Sequence, residues 1–246
     1  MRPDPRLTGL VACLFLAGAL LIGLAHHRQA PGADRRRRDW LKYGVYAAVI
    51  NGLWGAAYLG RTAAGAALGL IALGGTAEIF RLVRPPYRAP AAVTAGLALA
   101  VALRGMLWSP GTAGEGAFAF VVLVTAATDS FAELTGRLCG GRRLCPRLSP
   151  HKTVAGLLGG LGMAVLVALL LGFLLPGAHG VGLALLGLTT GLGAVGGDLL
   201  CSAIKRAAGV KDFSDLLPGH GGVLDRFDSL LLAAPLFHWS RAVLGG

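Results

Sequence analysis

Charge is scarce in this sequence. Only 14% of the 246 residues are Asp, Glu, Lys or Arg, where a soluble domain carries about 25%. An ordinary solvated surface over most of the chain is thereby excluded. Aromatic residues are also few, at 7%, and scattered. No stacking platform for bases is visible, so nucleic acid is not the expected partner despite a net charge of +11. Acidic residues are the scarcer sign, 12 against 23 Lys and Arg. Cysteine is limited to Cys13, Cys139, Cys145 and Cys201. Cys13 and Cys201 lie in apolar runs, where a small buried hydrophobe is the ordinary reading. Cys139 and Cys145 share a basic loop without partnering histidines, which makes a poor zinc site.

Apolar residues, 54% of the total, are what the chain has in excess. They form runs of about 20 residues, the length that crosses a bilayer as a helix. Spans are expected at roughly 7–26, 40–60, 62–80, 89–108, 117–135, 154–175, 180–204 and 227–244. The fold class is all-α, a polytopic transmembrane helix bundle of about eight spans. The first run is longer than the apolar region of a secretory signal and is read as a retained helix. Residues 1–115 hold the first four spans. Residues 116–246 hold the last four, with loops at 136–153 and 205–226.

Lys and Arg alternate between connections. Arg28 and the run Arg35 to Arg38 follow span one, and Arg81, Arg84 and Arg88 follow span three. Arg137, Arg142, Arg143, Arg147 and Lys152 follow span five, and Lys205, Arg206, Lys211 and Arg226 follow span seven. The positive-inside rule puts these connections in the cytoplasm, against Arg2 and Arg6 at the N-terminus. The Arg35–Arg38 run reads as a solvated cluster that sets topology. Small-residue spacings such as Gly65–Gly69, Gly156–Gly160 and Gly193–Gly197 fit close helix packing in lipid.

Ionisable side chains inside apolar segments are costly and mark candidate functional groups. Asp129 and Glu133 in span five and Asp198 in span seven qualify; Arg104 can snorkel to the interface. On a helix Asp198, Ser202 and Lys205 fall on one face, with Arg206 beside them. Carboxylate, hydroxyl and ammonium in one stripe suit a hard cation with a polyphosphate; a buried ion pair between packed helices fits the same residues. Beyond the stripe, Lys211 and Asp212 lead to Pro218-Gly219-His220-Gly221-Gly222. Consecutive glycines let backbone N–H groups approach an anion. Asp225 and Asp228 then share a face if a helix begins there.

The stretch from Ser202 through Lys205-Arg206, Lys211-Asp212, Pro218, His220-Gly221-Gly222 and Asp225-Arg226 to Asp228 resembles the signature of the phosphatidate cytidylyltransferases, the CDP-diacylglycerol synthases. Asp129-Ser130, Gly136-Arg137, Ser149-Pro150-His151-Lys152-Thr153 and Gly156 resemble the same family's upstream block. Glu133 departs from the family's usual aromatic residue, and Ala155 from its usual Glu or Gln. The resemblance implies an integral-membrane enzyme of phospholipid synthesis that converts CTP and phosphatidate to CDP-diacylglycerol and pyrophosphate at the cytoplasmic face. It implies Mg²⁺ on Asp198, Asp225 and Ser202, with an alkali cation such as K⁺ beside it. Lys205, Arg206, Lys211 and Arg226 would hold phosphates. Asp212 and Asp228 would orient those cations or the ribose, and His220 with Gly221 and Gly222 would shape the nucleotide loop. Asp129, Ser149, Lys152 and Thr153 would form the facing wall. A homodimer follows from the resemblance alone.

Three other readings compete. A related enzyme acting on an archaeol-type or polyprenyl phosphate is motivated by Glu133 and Ala155. A transporter would explain intramembrane carboxylates but gives no reason for the His220-Gly221-Gly222 loop. The third is a structural membrane subunit without catalysis.

Overall fold

The computed structural model describes residues 5–29, 32–82, 113–214 and 221–244. These residues are 80% helical. Clustering of contacts divides the chain into two compact units, Met1–Ala67 and Leu68–Gly246.

In the first unit, α1 (Pro5–Gln29) and α2 (Ala33–Tyr58) fold back as a helical hairpin. The Tyr43 hydroxyl donates to the Phe15 carbonyl, and His26 meets Asp39 at 3.0 Å. Trp40 stands edge-on to Tyr43 and His26. The Arg35–Arg38 run, expected in a connection, is helical and exposed in the opening turns of α2. Helix α3 (Arg61–Leu82) starts three residues after α2 ends, and from Leu68 onward it belongs to the second unit.

The second unit is built on α4 (Ala113–Cys139), α5 (Val154–Leu170), α6 (Gly180–Ala207) and α8 (Leu230–Val243). Missing side chains bring these helices together. A Cβ on Gly156 would stand 2.5 Å from the Ala132 carbonyl oxygen, and one on Gly160 would stand 2.8 Å from that of Thr128. The same logic joins α5 to α6, where a Cβ on Gly191 would strike that of Ala164 at 2.8 Å. On another face of α6 a Cβ on Gly193 would lie 2.6 Å from the Ala233 Cα of α8. Gly156–Gly160 and Gly193–Gly197 are thus packing positions. Of the expected pair Gly65–Gly69, a Cβ on Gly69 would have nothing within 4 Å among the described residues.

Where α4 meets α8, Phe120 packs on Phe237 with ring centroids 5.3 Å apart. Ile79 of α3, Cys201 of α6, Phe213, Leu224 and Leu231 form a buried cluster. The short helix α7 (Leu224–Phe227) sits within it, and a 3₁₀ turn at Gly172–Leu174 follows α5.

An antiparallel hairpin departs from the expected all-α chain: β1 (Arg143–Cys145) pairs with β2 (Ser149–Thr153), Arg143 opposite Thr153 and Cys145 opposite Ser149. Of the eight expected spans, two helices among the described residues are long and apolar enough to cross a membrane, at Gly116–Cys139 and Gly180–Ala207. Helix α5 is apolar but has 17 residues. The expected span 89–108, with Arg104, lies outside the described residues, as do Arg84 and Arg88.

Candidate active site

The site forms where the C-terminal part of α6 meets β2, the stretch Lys211–Ser214 and the chain leading into α8. Helical spacing puts Asp198, Ser202 and Lys205 on one face of α6, and the Ser202 hydroxyl donates to Asp198 Oδ1 at 3.4 Å. Lys152 of β2 reaches across to ion-pair with Asp198 Oδ2. Lys205 Nζ donates to Asp225 Oδ1 at 2.7 Å and stands 3.9 Å from Asp228 Oδ2. Its ammonium also lies over the Phe213 ring, 5.1 Å from the centroid.

Gly197 explains how Asp228 comes so near α6. A Cβ there would lie 3.1 Å from the Ser229 carbonyl oxygen and closer still to that of Asp228. Only a residue without a side chain lets the backbone at 228–229 rest on the helix just before Asp198. Asp129 of α4 hydrogen-bonds Ser229 and interacts electrostatically with Asp198 and Lys152. Asp228 interacts with both Asp198 and Asp129. Three carboxylates are therefore gathered between two lysines.

Asp225 plays a different part. Its Oδ2 accepts from the backbone N–H of Phe213 and of Gly222, each at 2.8 Å, while Oδ1 takes Lys205. The carboxylate thus ties two stretches of chain to the buried lysine. Gly221 has φ 75°, and a Cβ on it would meet Asp225 Oδ2 at 2.7 Å. Both facts call for glycine.

Other expected site residues do not share the ion pairs of this centre. Arg206 is exposed and its guanidinium donates to the Val210 carbonyl at 2.9 Å, closing the end of α6. Lys211, Asp212 and Arg226 are exposed. Thr153 is the N-cap of α5, its hydroxyl accepting from the Gly156 N–H at 3.0 Å, an arrangement that satisfies a first-turn donor. Ser149 opens β2 and is half-buried. Glu133 is exposed and paired with Arg137 one turn on. His220 and Pro218 lie outside the described residues.

The expectations had no place for Glu78. This α3 carboxylate is 5% exposed and accepts from the Ser214 hydroxyl at 2.7 Å, the Val223 N–H at 2.9 Å and the Leu224 N–H at 2.8 Å. The one signal in the sequence was a carboxylate inside the apolar run 62–80.

The oxygen donors suit a hard cation that brings its own phosphates. Among the described residues no three His, Cys, Asp or Glu side chains form a ready metal cage. Mg²⁺ does not need one: it commonly takes one or two carboxylates, several waters and substrate phosphates. Asp198, Ser202 and Asp225 supply oxygens of that kind.

Known proteins share much of this half of the chain. A 120-residue stretch is 43% identical to the uncharacterised protein YnbB of Escherichia coli (strain K12), covering 49% of this chain and 40% of that protein. A phosphatidate cytidylyltransferase of Brucella abortus biovar 1 (strain 9-941) is 44% identical over 124 residues, 50% of this chain and 46% of the relative. The phosphatidate cytidylyltransferase of Haemophilus influenzae (strain ATCC 51907 / DSM 11121 / KW20 / Rd) is 42% identical over 125 residues, 49% of this chain and 43% of the relative. The chain thus matches somewhat under half the length of these relatives. The model of the cytidylyltransferase family matches residues 104–244, more than half the chain and every described residue of the lysine–carboxylate site, and the chain belongs to that family.

Proposed function

We propose that the protein is a CTP-dependent phosphatidate cytidylyltransferase of the membrane, working at its cytoplasmic face. One observation carries the reading: Asp198, Asp225 and Asp228 converge on Lys152 and Lys205 at one end of the bundle. A lipid phosphate oxygen attacks the α-phosphorus of CTP. A new P–O–P bond forms, the bond between the α- and β-phosphates breaks, and pyrophosphate leaves. Phosphate monoesters have a second pKa of about 6, so the attacking oxygen is already ionised near neutral pH and no protein base is required.

Such a transfer depends on alignment and charge neutralisation. Lys152 and Lys205 hold phosphate oxygens, and their carboxylate partners aim both side chains. Mg²⁺, with an alkali cation beside it, would be held by Asp198, Ser202 and Asp225 and would neutralise charge on the polyphosphate. The apolar outer faces of α5 and α6, with Leu158, Leu166, Leu192 and Leu200 exposed, supply the surface a lipid substrate and bilayer require.

The test is pyrophosphate release by purified protein given CTP and phosphatidate. Asp198→Asn and Asp225→Asn are each expected to lower kcat by about 100-fold or more, as misplacement at a reacting centre does. Absence of CTP-dependent release from the wild type would overturn the reading. Release with an archaeol-type or polyprenyl phosphate but not with phosphatidate would overturn the substrate assignment alone.

A further inference from the structure

We propose that Glu78 is a positioning residue that fixes the acidic arm of the active site from outside the catalytic half of the chain. Its consequence for turnover rests on the cytidylyltransferase reading; its consequence for the backbone does not.

Two carboxylates hold the same two pieces of backbone. Asp225 takes the N–H groups of Phe213 and Gly222, and Glu78 takes the Ser214 hydroxyl and the N–H groups of Val223 and Leu224. The two residues are interleaved along the chain, so each loses register if the other lets go. Val223 and Leu224 open α7, whose early N–H groups have no partner within the helix. The Glu78 carboxyl supplies the acceptors for those donors. Asp225 follows directly in that turn, and Asp228 caps its end. The direction in which both acids point toward Lys205 is therefore set by Glu78.

Gly222 is shaped by the same contact. A Cβ on it would stand 2.5 and 2.6 Å from the two Glu78 carboxylate oxygens. Expected to shape the nucleotide loop, this glycine makes room for Glu78. Helix α3 is seated by its own glycines, since a Cβ on Gly75 would meet the Leu224 side chain at 3.1 Å.

The experiment compares wild type with Glu78→Gln in full-length protein, by amide hydrogen exchange and by kinetics. Gln keeps the shape but turns one acceptor into a donor facing a donor. Exchange at residues 222–224 is expected to rise about tenfold or more, while amides of α5 keep their protection. With the arm displaced, kcat/KM for CTP should fall about 10- to 100-fold. Unchanged exchange at 222–224 overturns the proposal, as does faster exchange with unaltered kinetics. If Glu78→Gln loses protection throughout, Ser214→Ala decides: it removes one of the three bonds and should move both readouts the same way by a smaller factor, and no change in either overturns the proposal. The double variant Glu78→Ala with Gly222→Ala should be no worse than Gly222→Ala alone, because the clash has gone; additive losses count against the contact. Should wild type lack CTP-dependent pyrophosphate release, the enzyme reading fails while the exchange measurement still decides the clasp.

Discussion

Lys205 is the side chain on which the local electrostatics turn. Its side chain is 11% exposed, and its partners Asp225 and Asp228 are 4% and 14% exposed. Removing the cation leaves carboxylates with little water and no counter-charge. Breaking a buried pair from one side costs about 3–5 kcal/mol, so Lys205→Met should lower the thermal unfolding temperature sharply in detergent. Arg206 is the control, since it is adjacent in sequence, also basic, and exposed on the Val210 carbonyl. Arg206→Ala should change stability by about 0.5 kcal/mol or less. Equal shifts in the two melting curves would sink the argument from burial. The stripe holding Lys205 was legible because helical spacing is local: Asp198, Ser202 and Lys205 needed no knowledge of the rest of the fold. Glu78 was not legible for the opposite reason. Its partners lie 136 to 146 residues away, and no periodicity links a lone carboxylate to donors so distant.

Elements meet here by omission. Gly193 lets α8 approach so closely that an added methyl must push its backbone away at Ala233. Because Asp228 enters α8 directly, that push also moves an acid of the site. Gly193→Ala is therefore expected to lower both the unfolding temperature and turnover. A Cβ on Gly162, within α5, would meet nothing within 4 Å, and Gly162→Ala should be neutral or stabilising by about 0.5–1 kcal/mol through helix propensity. Melting curves and pyrophosphate assays on both variants check the pair, and a harmless Gly193→Ala would contradict the packing described. Small-residue spacing made such contacts readable at Gly156–Gly160 and Gly193–Gly197, though such a motif does not name its partner. The hairpin was hidden altogether. Its strands have three and five residues, too short for a two-residue period, and Pro150 sits in one of them where proline ordinarily argues against a strand. Pairing fixes it nonetheless, and so carries Lys152 to Asp198.

At the scale of the molecule the helices run alternately. Lys152 just before α5 meets Asp198 late in α6, and Asp129 late in α4 bonds Ser229 just before α8. The C-terminal ends of α4 and α6 therefore share one end of the unit with the starts of α5 and α8. If α4 and α6 cross the bilayer, the hairpin and the Lys211 stretch emerge on the same side. By the positive-inside rule, arginines at 137, 142, 143 and 147 and the lysine at 211 predict that side to be the cytoplasmic one. Cys139, exposed at the end of α4, is a native reporter for the first segment, and Lys211→Cys in a background without other cysteines reports on the second. A membrane-impermeant maleimide should label both in inside-out vesicles and neither in right-side-out ones. Labelling from opposite sides would falsify the shared end, because Lys152 could not then reach Asp198. Labelling of both from outside would keep the geometry and reverse the orientation, leaving the site without access to cytoplasmic CTP.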